Sequence, residues 1–189
     1  MNLDEIAARS RSWDQTPRES PAGWLLWDFW HQRLTKVAGP NLTIPVPSKS
    51  CGVFALRPDL GRPQLLGTSG HFSQGTLETR DLKWDAPAGA LTGKVRGNGG
   101  EPTTLFFHLP AGMECTTAAV AYSSAPPKLI APNVLALGIP AVRDEPVRFE
   151  LHFTGTAGKP ASRPFAAGPV GAVKPAAPDS GGRNSEATP

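Results

Sequence analysis

The sequence has little cysteine, and this scarcity limits its chemistry. Only Cys51 and Cys115 occur among its 189 residues, with no Cys-x-x-Cys pair and no pair of histidines nearby. This pattern argues against a zinc or other metal site. Both cysteines lie in apolar, strand-like segments, which predicts two buried free thiols. A disulfide between them is the alternative, although no spacing indicates it.

Long apolar runs are also lacking. The most apolar stretch, residues 129–142, is interrupted by Pro132 and Pro140 and is too short to span a bilayer. Residues 1–12 are charged and have no apolar stretch of the kind that secretion requires. We therefore expect no membrane contact and, for the chain as written, a cytoplasmic location.

Charge of one sign is not concentrated anywhere along the chain. The net charge is +3, and lysine and arginine are scattered without a run of five or more. Nucleic-acid binding normally requires a basic stripe, so we expect no nucleic-acid partner. No motif for a cofactor is present either, and none is expected.

Glycine and proline, in contrast, are abundant at 20 and 21 residues, which is typical of a chain with many turns. Residues 147–153 alternate between apolar and polar positions, as a half-buried strand does. The other predicted strands cover residues 24–30, 42–46, 50–56, 64–68, 75–79, 82–84, 90–96, 103–109, 116–123 and 134–139. About eleven short strands without an amphipathic helix between them predict an all-β fold, an antiparallel two-sheet β-sandwich.

Turn residues and composition predict how these strands are connected and bounded. Residues 85–89 and residues 97–100 are both expected to close hairpins. Residues 1–20 are interpreted as a partly disordered leader and residues 21–154 as the β-sandwich domain. Residues 155–189 are rich in Ala, Gly and Pro and cannot bury enough apolar area to offset the entropy of ordering, so a disordered tail is predicted.

Two short motifs invite a catalytic interpretation, and each has a structural alternative. Asp85 follows Lys83 and Trp84 in a tripeptide that also occurs at the nucleophile of some α-galactosidases. No partner carboxylate or alternating β/α pattern accompanies it, so initiation of a turn is the favoured role. His71 lies near Ser73, but Gly-x-Ser-x-Gly is absent, so hydrogen bonding to loop backbone is favoured there.

Aromatic residues are concentrated in residues 24–30 (WLLWDFW). Exposed Trp24, Trp27 and Trp30 would form a stacking platform for sugar rings. However, alternation places apolar side chains on both faces of this strand, which indicates burial in a core or an interface. Burial in the core or in an interface is the favoured interpretation, and carbohydrate binding remains the alternative.

Residues 24–30 are followed in order by a proline-bearing segment, residues 47–58 (PSKSCGVFALRP), residues 61–75 (GRPQLLGTSGHFSQG) and residues 81–85 (DLKWD). Their order and spacing resemble the C-terminal β-sandwich domain of α-galactosidase-like (melibiase-type) glycoside hydrolases. The strand at residues 147–153 resembles the closing strand of that domain. One departure is Gly70, where the family often has arginine before the histidine.

In that family the catalytic carboxylates lie on a barrel, which the sandwich packs against and stabilises. The resemblance therefore implies a non-catalytic accessory domain of a glycoside hydrolase, whose partner is a catalytic barrel not contained in this chain. No residue is carried over as catalytic. The residues implied at the domain interface are Trp24, Asp28, Trp30, His71 and Gln74. The alternative is a free-standing carbohydrate-binding module.

Overall fold

The computed structural model describes Leu3 and residues 23–39, 41–70, 73–76, 78–96, 101–141 and 145–156. Every sheet pairing among these residues is antiparallel, which confirms the predicted all-β fold. The strands are β1 (Trp24–Asp28), β2 (Arg33–Val37), β3 (Phe54–Pro58), β4 (Gln64–Thr68), β5 (Thr79–Asp85), β6 (Ala90–Val95), β7 (Thr103–His108), β8 (Glu114–Val120), β9 (Lys128–Ala131), β10 (Val134–Ile139) and β11 (Val147–Thr154).

Two four-stranded sheets pack face to face and form the sandwich. The central sheet has the order β4-β7-β10-β9, and the outer sheet has the order β5-β6-β11-β8. Leu105 and Phe107 on β7 pack against Phe149 and Leu151 on β11, and the rings of Phe107 and Phe149 lie 5.7 Å apart. The alternating burial of β11 follows from this arrangement, because one face meets the core and the other meets solvent.

A third sheet, the N-terminal sheet, has the order β2-β1-β3 and packs on the opposite face of the central sheet. Leu25 and Trp27 of β1 contact Leu66 and Phe106 there, with the Trp27 and Phe106 rings 5.0 Å apart. The central sheet is thereby covered on both faces. This explains why all five residues of β4 are buried.

The other face of the N-terminal sheet is covered from within the chain. Trp24 and Leu26 on this face pack with Leu42, Leu3 and Ile44. Strand β1 is therefore buried on both sides by segments of its own chain, and all five of its residues are buried. A neighbouring domain is not needed to explain the apolarity of its two faces.

Several predicted elements differ in the structure. Residues 42–46 form no strand, because prolines at 45 and 47 cannot donate to a ladder, and only Leu42 and Ile44 of this segment pack on the N-terminal sheet. Residues 75, 76 and 78 form turns before β5 rather than a strand of their own, and residue 77 lies outside the described residues. Strands β2 and β9 were not predicted, since neither shows a strong apolar alternation. Residues 157–189 of the predicted tail lie outside the described residues. The same holds for the predicted leader, residues 1–20, apart from Leu3.

The two predicted hairpins have different outcomes. The hairpin at residues 85–89 is confirmed, because β5 pairs with β6. The hairpin at residues 97–100 is wrong, because β6 belongs to the outer sheet and β7 to the central sheet. Residues 97–100 themselves lie outside the described residues. A glycine-rich connection is compatible with a crossover between sheets as well as with a tight turn, so sequence alone did not distinguish the two.

Candidate functional site

The turn between β1 and β2 carries the aromatic pair Phe29 and Trp30, here called the hairpin tip. The two rings lie 4.7 Å apart at an angle of 78°, an edge-to-face arrangement. Trp30 keeps 54% of its surface exposed. A large aromatic side chain is thus presented to solvent at the end of a hairpin whose first strand is fully buried.

Asp28 and His31 organise the hairpin tip. One carboxylate oxygen of Asp28 accepts a hydrogen bond from the backbone N–H of His31 at 3.2 Å, and the other lies 2.8 Å from Nδ1 of the same residue. Asp28 is 7% exposed, whereas the His31 side chain projects into solvent. The buried carboxylate holds the turn that displays Trp30, an effect typical of aspartate before a tight turn.

The three tryptophans of the predicted stacking platform do not lie on one accessible surface. Trp27 is completely buried between the N-terminal and central sheets, and Trp24 is buried on the other face beneath Leu42. Alternation along β1 directs the two side chains to opposite faces. Of the three, Trp30 alone presents a substantial face to solvent, so a flat platform of all three is not available.

The predicted interface residues are also distributed between core and surface. Trp24, Asp28 and Gln74 are buried, whereas Trp30 is exposed. His71 lies outside the described residues. Asp28 and Trp30 are therefore the two of this set that the structure brings together at one site, with Asp28 supporting the turn and Trp30 forming its surface.

Gln74 is held in a tight turn that is tied to the N-terminal sheet. Its backbone has a φ of 49°, and both its backbone N–H and its side-chain amide donate to the carbonyl of Gly70. The Gln74 carbonyl accepts from Nη2 of Arg57 at 2.8 Å, and Nε of Arg57 donates to the carbonyl of Leu66 at 3.2 Å. Arg57 thus joins β3 to β4 and to this turn. Burial lowers the pKa of Arg57 to about 10.

His108 is the buried polar residue that the sequence did not reveal. It ends β7, lies opposite Gln64 and Val134, and has no exposed surface. Neither ring nitrogen has a hydrogen-bond partner among the described residues. Burial and, to a smaller extent, the positive charge of Lys36 lower the pKa of His108 to about 4, while Asp59 acts in the opposite direction. The ring is therefore neutral at physiological pH.

Asp85 and Ser73, from the two motifs that invite a catalytic interpretation, have structural roles, and His71 lies outside the described residues. Asp85 accepts a hydrogen bond from the backbone N–H of Ala88 at 3.1 Å and so initiates the β5–β6 turn, as expected. Trp84 before it packs on Phe153 in the core. The Ser73 hydroxyl donates to the carboxylate of Glu78, which ties down the loop before β5.

Both cysteines are free thiols, but the prediction that both are buried is wrong for Cys51. Cys51 lies in an exposed segment before β3, where the irregular backbone leaves it outside the core. Cys115 is half-buried on β8, and burial raises the pKa of its thiol. The two thiols therefore differ in accessibility.

Within the described part of the chain, no three or more His, Cys, Asp or Glu side chains come together as metal ligands would. No helix in that same part is long and apolar enough to cross a membrane.

Comparison with models of known protein families and with curated proteins finds no match to this chain. Inferences about function therefore depend on its own residues and their geometry.

Proposed function

We propose that this chain is a non-catalytic accessory β-sandwich domain of an α-galactosidase-like glycoside hydrolase, which packs against a catalytic barrel and stabilises it. The observation that carries this proposal is the exposed hairpin tip, in which Trp30 is displayed on a turn held by buried Asp28. The order of the motifs from residue 24 to residue 85 supports the identity of the partner.

The physical basis is the energy of burying a large aromatic side chain. Tryptophan is enriched among the few residues that dominate protein–protein interfaces, and truncating such a residue typically costs about 2 kcal/mol or more. Phe29 packs edge-on against Trp30. Because the rings contact one another and β1 is anchored on both faces, little side-chain entropy remains to be lost when a partner covers this tip.

The test uses the full chain together with an α-galactosidase-like barrel expressed without its own sandwich domain. We expect the chain to bind the barrel in sedimentation-velocity experiments and to raise its melting temperature. Trp30→Ala should weaken binding by about thirtyfold, which corresponds to about 2 kcal/mol. Leu129→Ala is the matched control, because Leu129 is also a large exposed apolar residue but lies on β9.

The chain alone should not hydrolyse aryl α-galactosides. Turnover by the purified chain that disappears on substitution of a single carboxylate would contradict the accessory role. Equal binding of the barrel by wild type and Trp30→Ala would show that the hairpin tip is not the interface.

Carbohydrate binding through Trp30 is the second candidate, and the exposure of this one side chain favours it. A ring that stacks on sugar C–H faces would change its fluorescence when galactose or a galacto-oligosaccharide is added. Among the three tryptophans of residues 24–30 the expected signal would come from Trp30, because Trp24 and Trp27 are buried. A saturable change that is absent in Trp30→Ala, together with no binding to the barrel, would favour this candidate over the accessory role.

A further inference from the structure

One face of the N-terminal sheet, here called the distal face, points away from the central sheet and is mostly apolar. Directly opposed residues of paired strands have their side chains on the same side, so the register identifies the members of this face. They are Trp24, Leu26 and Asp28 on β1, Val37, Thr35 and Arg33 on β2, and Pro58, Leu56 and Phe54 on β3. Both charged members lie at the end that adjoins the hairpin tip. The rest of the distal face carries no charge.

The N-terminal segment of the chain covers part of the distal face through Leu3. This side chain has no exposed surface and forms one apolar cluster with Trp24, Leu26 and Leu42. The sequence predicts that the domain begins at residue 21 and that the residues before it form a leader. A residue of that leader is therefore buried on the sheet.

The cover is incomplete toward the hairpin tip. Phe54 and Leu56 belong to the same apolar cluster as Leu3, but both are only half-buried. The backbone N–H of Phe29 donates to a carbonyl of the segment before β3 at 3.0 Å, so the contact between β1 and β3 continues up to the tip. At a strand rise of about 3.3 Å per residue, residues 24–30 span about 20 Å. One protein partner can therefore cover the distal face and Trp30 together.

The contact made by Leu3 is weak enough to be displaced. Burial of one leucine side chain favours the covered state by about ten- to a hundredfold. The about 20 residues that connect Leu3 to Trp24 must close a loop, and the entropy of loop closure opposes this preference. The covered state is therefore favoured by a modest factor, which a partner that buries a larger apolar area exceeds.

We propose that Leu3 is a removable cover of the surface that docks on the catalytic barrel. In the isolated chain it occupies the position that an apolar side chain of the barrel takes in the assembled enzyme. This inference rests on the proposed accessory function and extends the interface from the hairpin tip to the distal face. The partner that fits is an apolar patch, because the middle of the distal face is uncharged and the tip adds an exposed indole. The cover also limits the apolar area through which isolated chains associate.

The cover itself is tested on the full chain without any barrel. Leu3→Ser should raise the fluorescence of 1-anilinonaphthalene-8-sulfonate, a dye that binds exposed apolar surface. Near-ultraviolet circular dichroism should be retained, which separates loss of the cover from loss of packing. Val46→Ser is the matched control, because Val46 is an apolar residue that is already 51% exposed. Dye fluorescence of Leu3→Ser equal to that of wild type would overturn the proposal.

The docking role is tested with the α-galactosidase-like barrel expressed without its own sandwich domain. We expect Leu3→Ser to bind this barrel about five- to tenfold more tightly than wild type, because a larger fraction of the chains has a free distal face. Val46→Ser should bind like wild type. Loss of folding cannot produce a gain in affinity, so the expected result has no trivial explanation.

The outcomes separate this inference from the accessory function. Unchanged or weaker binding by Leu3→Ser, while Trp30→Ala still weakens binding, would overturn the cover and leave the accessory function intact. Binding by Leu3→Ser without binding by wild type would support the cover, because the intact chain would then be closed. Absence of binding by both proteins would overturn the accessory function and, with it, the docking role of the distal face.

Discussion

Acidification should destabilise this domain through His108, which is buried with neither ring nitrogen hydrogen-bonded among the described residues. Protonation would place a full charge between the N-terminal and central sheets, where Lys36 is a nearby cation and Asp59 a nearby anion. The unfolded chain exposes the same ring to water and accepts the proton without this penalty. Proton binding therefore favours the unfolded state.

The magnitude follows from the two proton affinities. The ordinary pKa of histidine is 6.5, and that of His108 is about 4. Each tenfold difference in proton affinity corresponds to about 1.4 kcal/mol. The free energy of unfolding therefore falls by about 3 kcal/mol when protonation is complete. Because the native pKa is the lower one, this contribution to stability is intact above pH 6.5 and declines as the pH falls toward 4.

The assay is urea unfolding followed by tryptophan fluorescence across this pH range, with wild type compared with His108→Leu. The variant removes a buried polar group and should be more stable than wild type near neutral pH by about 1–3 kcal/mol. Carboxylates that titrate in the same range are common to both proteins and cancel in the comparison.

On acidification, the free energy of unfolding should fall for both proteins. We expect the fall for His108→Leu to be smaller than the fall for wild type by about 3 kcal/mol. If the free energy of unfolding depended on pH in the same way for the two proteins, the conclusion that His108 is buried and neutral would be refuted. His152→Gln is the control, because His152 is partly exposed and lies beside Glu150 on the outer sheet.

Three further predictions concern packing and chemistry. Arg57→Met should lower the free energy of unfolding by about 2–4 kcal/mol in urea titrations, because two backbone carbonyls lose a charged donor; a change below about 0.5 kcal/mol would contradict this role. Gly93→Ala should lower the free energy of unfolding by about 1–3 kcal/mol, since the added Cβ would lie 2.7 Å from the ring of Phe149. Gly138→Ala is the control in the same titrations and should be nearly neutral, because its Cβ would meet nothing within 4 Å. Cys51 should react with a thiol reagent much faster than Cys115, as measured on the two single-cysteine variants; equal rates would contradict the difference in burial.

Strand positions were most predictable where the apolar pattern is strong, both in the buried central sheet and in the alternating strand β11. The predicted strands at residues 64–68 and 134–139 match β4 and β10, and the prediction at residues 147–153 is one residue shorter than β11. The alternation of β11 directly reflects one core face and one solvent face. Strand β2 (RLTKV) has a weaker apolar pattern because it is an edge strand with mostly exposed residues.

Features that depend on pairing between distant segments were not predictable. In the sequence His108 stands alone on its strand without any motif, and its environment is created by the N-terminal sheet that covers β7. Likewise, Arg80, Lys94 and Arg148 lie opposite one another on the outer sheet only because their strands share a register. The sequence pattern indicates that both faces of β1 are apolar, but it does not indicate that Leu3 and Leu42 cover one of them.

The placement of the central sheet also has a consequence for the order of folding. Its strands β4, β7 and β10 are neighbours in space but are separated by long stretches of chain, whereas β1–β2, β5–β6 and β9–β10 are local hairpins. Local pairs close quickly, and pairs of high sequence separation close slowly. The hairpins are therefore expected to form first and the β4–β7–β10 pairing last. Until then the two apolar faces of β7 stay exposed, which makes this strand the segment most prone to intermolecular pairing during folding.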